Sequence, residues 1–344
     1  MTAIPGFEHG RAASELGLAK RLSRRSRLAL ATAAIAAFVV LAVAGSWSQL
    51  RGRMTLDQLG HSASVISGSW QSTFFDWKFW VAVAVLATLE RRFPARRGEG
   101  LLSIGAAQDV VYFVFFAVLH LTIVRLYFVL LNGLASEVIP GVGDNLESVI
   151  GTAATVVLVF VIADFLNWGT HLARHRVPLF WHFHEVHHSQ RSLNMLTEAR
   201  EHFFEAMIAS TVAFVPIALL GASFKVIAGT VTVTVFYNYF QHSNIRTNLG
   251  PLRHVLVTPQ SHRVHHSIDP EHHDTNFGVI FSVWDRIFRT AHRGDGNEYP
   301  ATGIENPSFP LETQGGPASL LKTYGQQTLY PFRAALRRPS RQDS

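Results

Sequence analysis

The chain has 344 residues, a formal net charge of +6, 16 % charged and 48 % hydrophobic residues, and no cysteine. Disulfides, iron–sulfur clusters and thiolate metal ligation are excluded. The scarcity of charge and the bunching of apolar residues into long runs imply an integral membrane protein, and arginines that flank those runs are read as membrane topology rather than nucleic-acid binding.

Residues 1–27 form a basic tail, with Lys20, Arg21, Arg24, Arg25 and Arg27 just ahead of an apolar run over 28–47. Ser23-Arg24-Arg25 before that run resembles a twin-arginine export signal. At about 20 residues the run also suffices to cross a hydrocarbon core of roughly 30 Å, and it is read as a retained anchor helix. Further runs at 74–89, 110–131 and 149–168 bring the predicted membrane helices within 28–168 to four. Arg91, Arg92, Arg96 and Arg97 follow the second run, whereas the 132–148 loop has no basic residue and carries Glu137, Asp144 and Glu147. Basic loops stay in the cytoplasm. The chain should therefore start inside a bacterial inner (plasma) membrane, cross four times and return to the cytoplasmic side near Gly169. His120 and Arg125 interrupt the third run. Ionisable groups inside a membrane are functional candidates, although His120 can instead bond a neighbouring helix and Arg125 can snorkel.

A further apolar stretch, 206–240, is broken by Gly221-Ala222-Ser223 and Lys225. Halves of about 15 residues reach roughly 22 Å as helix, short for a crossing, so a shallow membrane hairpin is predicted. Val-Thr-Val-Thr-Val at 231–235 alternates like a strand, but an open strand in lipid leaves its backbone unpaired, and helix is expected. Residues 169–295 then make a di-metal core that includes the hairpin, and 296–344 a cytoplasmic C-terminal segment with a peripheral stretch at 320–336. The expected fold is all-α: an integral membrane bundle of four helices plus a short hairpin, capped by a cytoplasmic histidine-rich helical domain.

Fourteen of the 18 histidines lie between His171 and His273. His171-x3-His175, His184-x2-His187-His188 and His262-x2-His265-His266 each place imidazoles three or four residues apart, where they share a helix face. Neutral imidazole is the commonest protein ligand for transition metals. Eight converging rings exceed what one ion can use, which argues for two metals. Asp164, Asn167, His171 and His175 form one polar stripe down the fourth membrane helix, and Asp164 is expected to accept from the second nitrogen of a ligand histidine. Pro178 should end that helix, after which 181–189 can form a short helix bearing the first triplet. Thr258 or Pro259 should start the helix of the second triplet. His242 leaves the hairpin where the metal site should lie. His202, in Arg200-x-His202-x2-Glu205, is a candidate ligand, as is one of His272 and His273. His182 should point away from the triplet face.

Taken in order, HxxxH, HxxHH, RxHxxE, a lone His before Asn, TPxxHRxHHS and NFG…WDRIF resemble the fatty acid hydroxylase/sterol desaturase superfamily over about residues 105–295. The resemblance implies a membrane-embedded non-haem di-iron enzyme that activates O2 and hydroxylates or desaturates lipid C–H bonds. It implies two iron ions held by His171, His175, His184, His187, His188, His262, His265 and His266, with His242 as a ninth ligand. Phe203 departs from the pattern, standing where many members have proline. Electrons must come from a separate reductase, ferredoxin or b-type cytochrome, or from a reduced pterin as in some relatives. The competing reading is a metal-binding membrane transporter or sensor without oxidation chemistry. A transporter should string ligands along the membrane path, whereas these gather beyond helix ends.

Overall fold

The computed structural model describes residues 77–115 and 145–336. The run at 28–47, His120, Arg125 and most of the run at 110–131 lie outside the described residues. The chain divides into two units, and all the described residues but 332–336 belong to the unit Met54–Pro331. Among them the regular elements are all helical, accompanied by isolated bridges at Pro94–Ile245, Leu256–Phe281 and Ser267–Thr302.

The second apolar run is helix α1, Trp77–Arg92, ending on Arg91 and Arg92, whose charge complements the carbonyl end of the helix dipole. Helix α2, Ile104–Phe115, starts before the third run and carries the buried Gln108 and Asp109. The short α3, Asn145–Ile150, meets α4, Thr152–Arg176, at Gly151, whose φ of 80° is a left-handed conformation suited to glycine. The 25 residues of α4 reach about 37 Å. It is the one described helix both long and apolar enough to cross a membrane.

Val177 is extended, as a residue before proline must be, and this stops α4 one residue short of Pro178. Pro178 then serves as the first residue of α5, Pro178–His188, where its missing N–H has no helical partner to lose. Helices α6, Phe203–Leu219, and α7, Phe224–Gln241, are two successive helices over the 206–240 stretch, joined by a short turn. Gly221 at φ 85° makes the turn, and Ser223 caps α7 by accepting from the Val226 N–H. The Val-Thr alternation lies inside α7 as helix, with Thr230 and Thr234 hydroxyls donating back to carbonyls four residues earlier. Helix α8, Pro259–His265, starts from a reciprocal cap in which Thr258 and Ser261 each bond the other's backbone N–H. Helices α9, Val283–Ile287, and α10, Pro317–Leu336, complete the described chain.

Val159 and Ala163 of α4 pack against Ala213 and Ile217 of α6 and Val226 of α7. Small side chains at 163 and 213 let the helices approach closely, and that fixes where α4 delivers its C-terminal histidines. The other face of α4 leaves Val156, Val157, Leu158, Val161 and Phe165 exposed. One expectation is corrected. The stretch at 320–331 is not peripheral, because Leu320, Thr323, Gln327 and Tyr330 are buried at helical spacing. Gln327 accepts from the Tyr112 hydroxyl of α2, a partner 215 residues away that local pattern cannot report.

Candidate metal centre

Nine histidines converge in two adjoining groups. His171 and His175 from α4, His184 and His188 from α5 and His265 from α8 make the first; His187 from α5, His242 after α7, and His262 and His266 of the α8 turn make the second. Neighbouring rings stand 4.2–5.4 Å apart within the groups, as between His242 and His262 or His171 and His175. All are almost fully enclosed. Burial first, and neighbouring imidazoles second, hold His184, His187, His188, His262 and His266 well below the ordinary imidazole range. Burial likewise takes His265 down to about 4 and His242 to about 3. The rings are therefore neutral at pH 7.

The outer nitrogens fix which inner nitrogen carries a lone pair. Carbonyl oxygens only accept, so a ring nitrogen facing one must carry the proton. Nδ1 donates to the Phe277 carbonyl in His171, at 3.0 Å, and to the Arg200 carbonyl in His187, at 3.2 Å. It donates likewise to the Asn238 carbonyl in His242, at 2.8 Å, and the Thr275 carbonyl in His265, at 2.7 Å. Nδ1 of His184 meets the Glu205 carboxylate at 2.5 Å, and Glu205 is held in turn by Arg174 at 3.1 Å. In the four rings that face a carbonyl, Nε2 is bare and faces the group.

The inner nitrogens of His187 and His242 then face one another without a proton between them. His187 and His242 Nε2 are 3.0 Å apart, and both are bare by the argument above. Nε2 of His262 is 2.8 Å from that of His242, and those of His184 and His188 are 3.2 Å apart. Nε2 of His171, His175 and His265 is buried with no partner at all. Two lone pairs at that distance repel unless a cation lies between them. Two nitrogens each about 2.1 Å from one ion and at right angles about it are ~3.0 Å apart. The spacing thus fits metal ligation, and imidazole suits iron, zinc, copper and nickel.

Three buried polar hubs hold this arrangement. Asp109 of α2 takes the Arg200 Nε at 2.6 Å on one oxygen and Gln190, Asn194 and Thr197 on the other. Arg200 is 0 % exposed and also bonds Glu312 and the Gly105 carbonyl, which locates the carbonyl it offers to His187. Arg263, beside His262, bonds Glu99 and Asn244 and so ties α8 to the segment before α2. Asp285 receives the backbone N–H of Phe277 and Gly278 and the Trp168 indole, and the backbone it holds is the one that accepts from His171.

Three sequence candidates stay outside both groups. Asp164 does not pair with a histidine; its oxygens accept from the N–H groups of Ile280 and Phe281 and from the Trp284 indole, anchoring the Asn276–Trp284 stretch 116 residues on. His202 turns away to the Thr328 carbonyl of α10. His273 is exposed, because it closes the short turn Pro270–His272 rather than continuing a helix. His182 lies off the triplet face, as expected, and meets Glu185. Glu205 was the missed partner, and its signal was present in the Arg200-x-His202-x2-Glu205 motif beside the first triplet.

A fatty acid hydroxylase family model matches residues 156–290, which hold all nine histidines. The chain is 34 % identical over 181 residues to ornithine lipid hydroxylase OlsE of Rhizobium tropici, covering 52 % of this chain and 51 % of that one. It is 31 % identical over 153 residues to human alkylglycerol monooxygenase, covering 44 % and 34 %. Against the very-long-chain aldehyde decarbonylase GL1-6 of rice it is 26 % identical over 168 residues, covering 44 % and 25 %. The chain thus spans about half, a third and a quarter of these relatives. No solved structure matches it.

Proposed function

The chain carries a fatty acid hydroxylase domain and is a member of the fatty acid hydroxylase/sterol desaturase superfamily; from that premise we propose that it is a membrane-bound non-haem di-iron oxygenase that hydroxylates or desaturates a C–H bond of a lipid, using O2 and electrons from a separate donor. The observation that carries the reading is the pair of facing, bare Nε2 atoms of His187 and His242, set within two groups of five and four converging histidines. His171, His175, His184, His188 and His265 would hold one iron, and His187, His242, His262 and His266 the other. Bound iron would supply O2 activation strong enough to break an unactivated C–H bond.

The chain's own residues orient, enclose and exclude. Carbonyls of Arg200, Asn238, Thr275 and Phe277 fix ring rotation and tautomer, and Glu205 fixes the rotation of His184. Burial of eight of the nine histidines would keep bulk water away from the oxidant and from the substrate carbon. No carboxylate enters either group among the described residues. A lipid substrate is supported by the relatives, whose names are those of lipid hydroxylases and monooxygenases. The uncovered apolar face of α4 and the asymmetry of loop arginines support four membrane helices with the histidine cap on the cytoplasmic side of an inner membrane. The chain has no cysteine for an iron–sulfur cluster of its own, so a reductase, ferredoxin, b-type cytochrome or pterin is the proposed electron source.

The test is metal content of detergent-purified protein, wild type against His187→Ala/His188→Ala, followed by lipid mass spectrometry of expressing cells with and without O2. Two irons per chain that fall sharply in the variant, with an O2-dependent gain of one oxygen or loss of two hydrogens in a lipid, are expected. Full metal content in the variant, or a well-folded wild type that takes up none, would overturn the oxygenase reading in favour of a non-catalytic membrane protein.

A further inference from the structure

Outside the nine-histidine centre, a second kind of metal-ligating cluster lies on the segments that follow α8. His272, His292 and Glu298 present one nitrogen or oxygen each, all within 4.8 Å of one another. His292 Nε2 is 2.7 Å from Glu298 Oε2, and His272 Nε2 is 3.6 Å from the same oxygen. The two imidazoles stand 4.8 Å apart at 89°. That is the relation found inside the large centre, where His187 and His242 stand 4.8 Å apart at 82° and His175 and His188 4.7 Å apart at 87°.

Each of the three groups is aimed by a neighbour. Nδ1 of His272 is taken by the Ser267 hydroxyl at 2.8 Å, which leaves Nε2 to face Glu298. The backbone N–H of His292 donates to the Asn276 side chain at 2.8 Å, fixing where its ring begins. The Glu298 carbonyl accepts from Gln260 of α8 at 3.0 Å. Its carboxylate lies in a space that any side chain at 294 would fill, since a Cβ on Gly294 would come 2.1 Å from Oε1. None of the three residues belongs to the two large groups.

We propose that His272, His292 and Glu298 bind a third, mononuclear divalent transition-metal ion, of which zinc is the best match. Two imidazoles and one carboxylate with a position left for water is a known zinc donor set. The side chains are 12 %, 20 % and 35 % exposed, so this ion would exchange with solvent, unlike metal in the enclosed centre. Its role is a clamp. It joins the 267–276 segment to the 292–298 segment, and the Thr275 carbonyl in the first of these orients His265, while the Thr275 hydroxyl donates to the His272 carbonyl. A metal at the clamp therefore stiffens the backbone behind one ligand of the large centre.

The experiment uses the full chain in detergent, equilibrated with zinc, dialysed and analysed for total metal per chain. Wild type is compared with His292→Ala, His272→Ala and Gly294→Ala, the last of which displaces the carboxylate and keeps every ligand. Each should hold one equivalent less than wild type. The His187→Ala/His188→Ala variant should retain that equivalent, so this site is read independently of whether the large centre holds iron. Cobalt added to that variant should give the visible absorption of a tetrahedral site, lost when His292→Ala is combined with it. Equal metal content in wild type and in all three substitutions, or no tetrahedral cobalt signal, would reduce the cluster to a hydrogen-bonded His292–Glu298 pair and overturn the proposal.

Discussion

Asp109→Asn preserves shape and removes one charge at the point where α2 meets the segment that carries Arg200. Both oxygens of Asp109 accept: Oδ1 from Arg200 Nε at 2.6 Å, Oδ2 from Gln190, Asn194 and Thr197 at 2.5, 2.8 and 3.1 Å. An amide has one oxygen. With that oxygen toward Arg200, its NH2 faces three donors; flipped, the NH2 faces the guanidinium. Either orientation leaves donors unsatisfied where Asp109 and Arg200 are both 0 % exposed. Removing one partner of a buried ion pair costs about 3–5 kcal/mol. Glu312, 3.0 Å from Arg200, still offsets part of the unpaired charge, which points to the lower end, about 3 kcal/mol. The assay is denaturant unfolding in mild detergent, wild type against variant, at pH 7. Metal content should fall in parallel, because the Arg200 carbonyl that orients His187 shifts with its side chain. A variant within about 1 kcal/mol of wild type would refute the argument that this hub holds the site, since that is the range of a single ordinary hydrogen bond.

Two further outcomes are expected. Glu205→Gln keeps an oxygen facing His184 but gives up the carboxyl group that Arg174 also holds, so metal affinity measured by chelator competition should drop about 10- to 100-fold; unchanged affinity would remove Glu205 from the supporting shell. His202, buried against the Thr328 carbonyl, is held by burial at about 4 against an ordinary 6.5. Its folded pKa is depressed, so the stability conferred by the neutral, docked ring is present above pH 6.5 and is lost as pH falls toward 4, by up to about 3 kcal/mol. His202→Gln should flatten the stability–pH curve over that window, and equal slopes in the two proteins would sink the assignment.

Local signals in the sequence were enough to place elements. Pro178 separates α4 from α5, and Thr258 with Pro259 starts α8, because proline and capping side chains act within one turn of where they stand. The histidine spacings, set by the same short-range geometry, foretold which rings share a face. Long-range partners were not legible. Asp164 sits one helical stripe from His171 and still serves backbone groups 116 residues away, since a buried carboxylate goes to whichever donors the tertiary fold delivers. Arg200 and Arg263 read as ordinary basic residues, yet both are fully buried. Nothing within several residues of either predicts Asp109, Glu99 or Asn244, and only their position beside the histidine triplets hinted at support.

The partition of the triplets between the two groups explains why the centre must form as one piece. In each HxxHH the first and last histidines, four apart, join one group and the middle one joins the other. His184 and His188 go to the first group while His187 goes to the second; His262 and His266 go to the second while His265 goes to the first. On a helix of 3.6 residues per turn, positions i+3 and i+4 lie about 100° apart around the axis, on either side of position i. A helix edge laid between two ions can thus face both, provided its triplet occupies positions i, i+3 and i+4. Helices α5 and α8 are two such edges, set in opposite sense, so that each supplies a pair to one group and a single ring to the other. The α4 histidines join the first group and His242 the second, which gives five and four. Displacing either short helix disturbs both groups together. Substituting the adjacent His187 and His188 removes one ring from each group, and for that reason a single double variant tests the proposed ligation in both.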